Sequence, residues 1–184
     1  MGSISRVTQM ELPDVKLFEV CVSDDERGSN IKIFSSEELK SEGIDFVPVE
    51  ILSMHSNRYV LRGVHFQKKL EQNRIIFCTK GVLFVAIVDV NPKSQMKGKS
   101  CAYTLKQSNQ CIYIPTGYAL GTYAIEDSDF ICICGTNPFV ADYSAGIRWD
   151  DPDIAIEWPI EKNSVILSKG DKALLNFKAV MKEI

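Results

Sequence analysis

The chain has 184 residues, 45% of them hydrophobic and 24% charged, ordinary usage for a globular protein. At this length roughly 70% of the unfolded surface is buried on folding, so one domain spanning 1–184 is expected to form its core without disulfide or metal staples. Twenty-one basic residues against 24 acidic ones leave a net charge of −3, which offers no basic excess for nucleic acid or an anionic membrane.

Along the chain, Met1-Gly2-Ser3-Ile4-Ser5-Arg6 carries no apolar signal segment, and Arg6 breaks the myristoylation pattern. The longest apolar run, Val82 to Val88, is far too short to span a bilayer, so a cytoplasmic protein is expected. Ser35-Ser36-Glu37-Glu38 reads as a capping box and Gly43 as a stop, predicting one short helix. Ile75-Ile76-Phe77-Cys78 and Val82 to Val88, with Gly81 between them, predict a hairpin. Asn91-Pro92-Lys93 is a turn. Cys111-Ile112-Tyr113-Ile114 stops at the turn Pro115-Thr116-Gly117, and Asp129 to Cys134 reads as a strand buried on both faces. After Asp171, Leu174, Phe177, Met181 and Ile184 recur at helical spacing and predict an apolar stripe docked on the domain. Many short strands with two small helices imply an all-β sandwich or barrel.

The six cysteines (21, 78, 101, 111, 132 and 134) include no Cys-x-x-Cys, and the chain has only two histidines. Reduced core thiols are the expected state, and the spacing does not suit a zinc site.

Two segments carry chemistry. Leu61-Arg62-Gly63-Val64-His65-Phe66-Gln67 and Ile114-Pro115-Thr116-Gly117-Tyr118-Ala119-Leu120-Gly121 resemble the two consensus turns of cupin jelly rolls. Metal-binding cupins have His-x-His in the first and a histidine ending the second. Here those places hold His65-Phe66-Gln67 and Leu120, and one imidazole cannot hold a transition metal alone. The match becomes specific with Gly146-Ile147-Arg148-Trp149-Asp150-Asp151-Pro152-Asp153, Ile156-Glu157-Trp158-Pro159, Asp25-Glu26-Arg27-Gly28 and Leu167-Ser168 through Asp171. Together these resemble the dTDP-4-dehydrorhamnose 3,5-epimerase family. The resemblance implies an all-β, metal-free and cofactor-free cupin-type jelly-roll barrel with a few short helices, including a C-terminal one. It also implies a homodimer that takes a nucleotide-diphosphate 4-keto sugar in deoxysugar or surface polysaccharide synthesis.

A C–H bond beside a ketone is a weak acid. Its removal needs a base on one face and stabilisation of the enolate oxygen, and inversion needs a proton from the other face. A lone histidine is more often a core residue, but the Leu-Arg-Gly-x-His-x-Gln context reverses that for His65. The resemblance assigns the base to His65 and its orienting carboxylate to Asp171. It also implies substrate-binding positions at Arg62 and Arg27, near the diphosphate, and at Gln67, Arg74, Phe139, Leu120 and Tyr118. Guanidinium groups suit phosphate through bidentate hydrogen bonds. Arg74 stands where the family has a lysine near the sugar oxygen. His55, outside any motif, is expected at the surface.

The chain departs from the family in several places. The proton-donating tyrosine falls on Phe139, which has no proton to give, and the histidine of the second turn falls on Leu120. Tyr143, Tyr118 and Tyr123 are candidate substitutes. Base-recognising positions are altered at Glu50-Ile51-Leu52-Ser53-Met54, Ala145, Lys32 and Gly170, while the arginines remain, which implies a different base or sugar on the same diphosphate. Inversion at C3, C5 or both, a ketoisomerase, and a non-catalytic sugar-nucleotide binder or partner subunit are the competing readings.

Overall fold

Short β-branched and aromatic runs set the architecture, since each is long enough to cross a barrel wall and bounded by turn residues. The computed structural model describes residues 4–106, 108–161 and 164–184. The strands begin with β1 (Ile4–Gln9), β2 (Lys16–Val20), β3 (Val22–Asp25) and β4 (Gly28–Ile31). After helix α1 (Ser36–Ser41) come β5 (Pro48–Ser56), β6 (Leu61–Gln67), β7 (Asn73–Lys80) and β8 (Leu83–Asp89). Then follow β9 (Ser100–Leu105), β10 (Gln110–Ile114), β11 (Tyr118–Ala124), β12 (Ser128–Gly135) and β13 (Ser144–Gly146). Two helical turns, α2 (Lys169–Lys172) and α3 (Phe177–Val180), end the chain.

A six-stranded sheet in the order β1-β2-β10-β7-β12-β5 faces a five-stranded sheet in the order β13-β6-β11-β8-β9. All ladders are antiparallel, which gives the expected jelly-roll arrangement. Between the sheets lies an apolar interior that includes Leu17, Ile76, Val85, Ile87, Ile112 and Phe130. Burying each such side chain stabilises the fold by about 1.5–3 kcal/mol. The outer face of the larger sheet is covered by α1 and the segment around Ile44 and Phe46. The outer face of the smaller sheet is covered by the C-terminal segment through Ile154, Phe177 and Val180. Among the described residues, no helix is long and apolar enough to cross a membrane.

The capping-box helix forms as expected, with the Ser35 hydroxyl accepting from the Glu38 N–H. Three expectations need correction. β7 and β8 do not pair as a hairpin but lie in different sheets, and the chain crosses between them at Gly81. Nearly every residue of both strands is buried, so each needs neighbours on both edges rather than one partner. Gly81 has φ +82°, and a Cβ there would stand 2.2 Å from the Asp127 carbonyl oxygen, so the corner admits only glycine.

The C-terminal stripe is not one helix. Leu175 bridges Ile147 and accepts from the Arg148 N–H, which interrupts the helical ladder, and Asn176 then caps α3 afresh. Buried Asp151 pins this segment by accepting from the backbone of Asp153, Ile154 and Phe177. Charged hydrogen bonds of this kind contribute roughly 1.5–3 kcal/mol. Third, all six cysteines are free and five are core residues, but Cys21 is exposed because it lies at the junction of β2 and β3, beyond the covered part of the sheet.

Candidate active site

Strand alternation aims His65 into the barrel, because its neighbours Val64 and Phe66 pack in the outer cluster. His65 pairs with Leu120 across the ladder to β11, and Leu120 packs against the interior core. Gly63 makes this wall possible. It has φ +102°, and a Cβ there would meet the Leu120 carbonyl oxygen at 2.6 Å.

Asp171 arrives from the far end of the chain on α2. Its Oδ1 lies 3.0 Å from His65 Nε2 and accepts from the Gly63 N–H at 3.2 Å. Its Oδ2 accepts from the Ser168 hydroxyl at 2.6 Å, and that hydroxyl caps α2 by accepting from the Asp171 N–H. The carboxylate is buried, so these donors fix its direction. With Nε2 donating to Asp171, the lone pair of His65 sits on Nδ1, on a side chain that is 45% exposed. Burial of the ring pulls His65 below its ordinary value. The Asp171 charge opposes that shift and the Arg74 charge adds to it.

Arg74, on β7 in the opposite sheet, donates to the His65 carbonyl oxygen at 3.4 Å. It is buried, and among the described residues it forms no ion pair with a carboxylate. In its row of the sheet it stands beside Cys134, and Cys134 stands beside Glu50. A cavity of about 630 Å³ opens at this end of the barrel, lined by Arg74, Gln67, Tyr118, Tyr143, Lys68 and Lys69 among others. Arg74 both lines this cavity and bonds to the His65 carbonyl.

The remaining candidates divide into groups. Gln67 is buried with its amide engaged: Nε2 donates to the carbonyls of Leu70 and Pro138, and Oε1 accepts from the Val140 N–H. With Gln72 and Asn137 it ties the 137–140 segment to the 70–72 loop. Phe139 rides on that segment and is 55% exposed, its N–H donating to Glu50. Tyr118 and Tyr123 commit their hydroxyl protons to the carbonyls of Pro13 and Ser164. Tyr143 lies in the cavity wall beneath the Lys69 ammonium. Arg62 stands at the start of β6 and donates to the Ser56 hydroxyl and the His55 carbonyl, with no carboxylate partner in these bonds. Arg27 is at the exposed tip of the β3–β4 hairpin, paired with Asp25 and away from His65 in sequence and sheet. His55 is at the surface as expected, bonded to Asp129.

Three contributors were missed by sequence reasoning. Gly63 and Ser168 support Asp171, and Cys134 shares a row with Arg74. Only the in–out alternation of Cys132 and Cys134 carried any signal for the last of these.

The model of the family described as dTDP-4-dehydrorhamnose 3,5-epimerase matches residues 9–179. The chain belongs to that family. It is 32% identical over 181 residues to dTDP-4-dehydrorhamnose 3,5-epimerase of Escherichia coli K12, covering 96% of each chain. It is 31% identical over 169 residues to the protein of that name in Methanothermobacter thermautotrophicus, covering 91% of each. Among solved structures, dTDP-6-deoxy-D-glucose-3,5-epimerase from Legionella pneumophila, in complex with dTDP-4-keto-L-rhamnose, superposes with a TM-score of 0.92. The two are 26% identical, and the match covers 97% of this chain and 95% of the other. The two positions that resemblance to the dTDP-4-dehydrorhamnose 3,5-epimerases assigns to base and carboxylate are the two found 3.0 Å apart.

Proposed function

We propose that the chain epimerises a nucleotide-linked 4-keto-6-deoxy sugar through an enolate, with His65 as base and Asp171 as its orienting carboxylate. The reading is carried by the His65–Asp171 pair, built from residues over 100 positions apart and held by Gly63 and Ser168. A site freed from chemistry has no need of such a pair, which favours catalysis over simple binding. Nδ1 of His65 takes the proton beside the ketone. The Arg74 guanidinium, without a carboxylate partner of its own, meets the negative charge that develops on the ketone oxygen. Arg62, at the rim, meets the diphosphate. Glu50, Leu52 and Met54 replace the expected base-recognising groups, so the finer reading is a carrier base other than thymine.

Proton NMR in deuterated water with 4-keto-6-deoxy sugars on dTDP, GDP and CDP tests this. Deuterium entering at C3, C5 or both is the expected result. Binding without exchange on any carrier would leave a non-catalytic binder.

The proposal extends to a homodimer. β5 is an edge strand whose outward residues Val49 and Ile51 are exposed, as is Val47 just before it. An apolar open edge of this kind is ordinarily covered. Sedimentation is expected to give about twice 20.7 kDa, and Ile51→Lys to give the monomer.

A further inference from the structure

The base dyad occupies one wall of the barrel, and the tyrosine that would face it is absent. The register identifies what stands opposite. On the smaller sheet, one row across the strands reads His65, Leu120, Ile87 and Cys101. On the larger sheet, the facing row reads Glu50, Cys134, Arg74 and Ile114. Leu120, Ile87, Cys134 and Ile114 all belong to the interior between the sheets, so the two rows look at each other. Arg74 spans the gap to the His65 carbonyl, which puts the rows in one layer of the barrel.

We propose that Cys134 is the second acid–base group of the site, delivering a proton to the face of the sugar opposite His65, with Arg74 holding the negative charge. This rests on the enolisation reading above.

Arg74 is a buried guanidinium that pairs with no carboxylate among the described residues, a costly arrangement unless an anion comes to it during turnover. The thiol beside it is not isolated. Cys132, two residues away on the same face, has its sulfur 3.6 Å from that of Cys134. A proton shared from Cys132 favours a Cys134 thiolate most, burial opposes it, and after these the Arg74 charge favours it and the Glu50 charge opposes it. The Cys134 thiol is accordingly drawn below its ordinary value, and that of Cys132 is pushed up by the same bond and by burial. The ionisable groups around Cys134 are thus Cys132 on its own strand, Glu50 on β5, Arg74 on β7 and His65 across the gap. Glu50 and Arg74 act on it in opposite senses.

The proton count balances. His65 takes the proton from the carbon and becomes imidazolium, and the electron pair moves to the ketone oxygen beside Arg74. The enolate then collapses, the carbon takes the proton of Cys134, and the charge passes from oxygen to sulfur. Arg74 adjoins both. The imidazolium gives its proton to solvent and the thiolate takes one back, which restores the site.

The test uses the full chain, the carrier among dTDP, GDP and CDP that exchanges fastest, and Cys134→Ser, a near-isosteric change checked by near-ultraviolet dichroism. The wild type is expected to exchange and invert. C134S is expected to lose inversion by about 10²-fold or more, to keep His65-dependent exchange within about tenfold, and to lose the alkaline limb of the inversion profile. Inversion at the wild-type rate in C134S overturns the proposal and leaves the enolisation reading standing. Wild-type exchange without inversion overturns it too, because the site then has no second acid. Absence of exchange on every carrier brings down the enolisation reading itself, a separate and recognisable result.

Discussion

Replacing His65 by asparagine is expected to abolish both isotope exchange and product formation, lowering kcat/KM by about 10³-fold or more with substrate affinity nearly unchanged. Asparagine keeps a polar group toward Asp171 but has no lone pair basic enough to take a carbon-bound proton. General base catalysis alone contributes about 10²–10⁴-fold, and among the described residues His65 is the side-chain base paired with Asp171. Isothermal titration with the sugar nucleotide, run beside deuterium exchange, separates lost chemistry from lost binding. The pH profile adds a signature. Burial holds His65 below its ordinary value, so the free base persists on the acid side of neutrality and the midpoint of the acid limb of kcat/KM should lie below the ordinary histidine value of about 6.5. The same shift links pH to stability. Between the lower value in the folded chain and the ordinary value in the unfolded one, the unfolded chain binds more protons, so stability falls as the pH drops through that window. H65N should lose that dependence as well. An H65N protein that still washes deuterium into the substrate would end the assignment.

Asp171→Asn is expected to lower kcat by about 10²–10⁴-fold while leaving KM within a few-fold. The carboxylate accepts from His65, the Gly63 N–H and the Ser168 hydroxyl at once. An amide offers one oxygen acceptor and turns an N–H toward one of those donors. Either the imidazole adopts the other tautomer, or the Gly63 and Ser168 contacts loosen. Because the two residues act as one unit, H65N/D171N should be no worse than H65N alone. Single-turnover rates for the three variants check this, and losses that multiply would mean that Asp171 acts elsewhere. A modest loss of stability is expected as well, since Ser168 caps α2 through the same contacts.

The sequence disclosed the motif residues but not their meetings. His65, Arg62 and Asp171 were legible because each stands in a run whose residue types and order resemble a family. Their distances were not, since nothing local ties Gly63 to a carboxylate 108 positions away. The helix at Ser35 was legible because capping is a local hydrogen bond. The fate of Gly81 was not, because a strand–glycine–strand pattern is the same for a hairpin as for a corner between two sheets, and only burial on both faces of β7 and β8 decides. Gln67 shows the same limit. The motif named Gln67 but not its fastening: it lines the cavity while its amide is tied to the Leu70 and Pro138 carbonyls and the Val140 N–H. Cys132 and Cys134 read correctly as core thiols, but alternation names a face and never the wall across from it.

The C-terminal segment crosses the open end of β6 through the paired backbones of Tyr59, Leu61 and Ile166, and only then delivers Asp171. Only the first residue of β6, Leu61, shares a backbone bond with Ile166, and the segment that carries Asp171 belongs to none of the named sheets among the described residues, so the two halves of the dyad belong to pieces of different stability. Removing the segment from Ser168 onward would leave the sheet ladders in place while His65 loses its carboxylate. Such a molecule would pass most tests of being folded and yet be silent. During biosynthesis, too, the dyad forms only when Asp171 has emerged and closes the long loop back to His65.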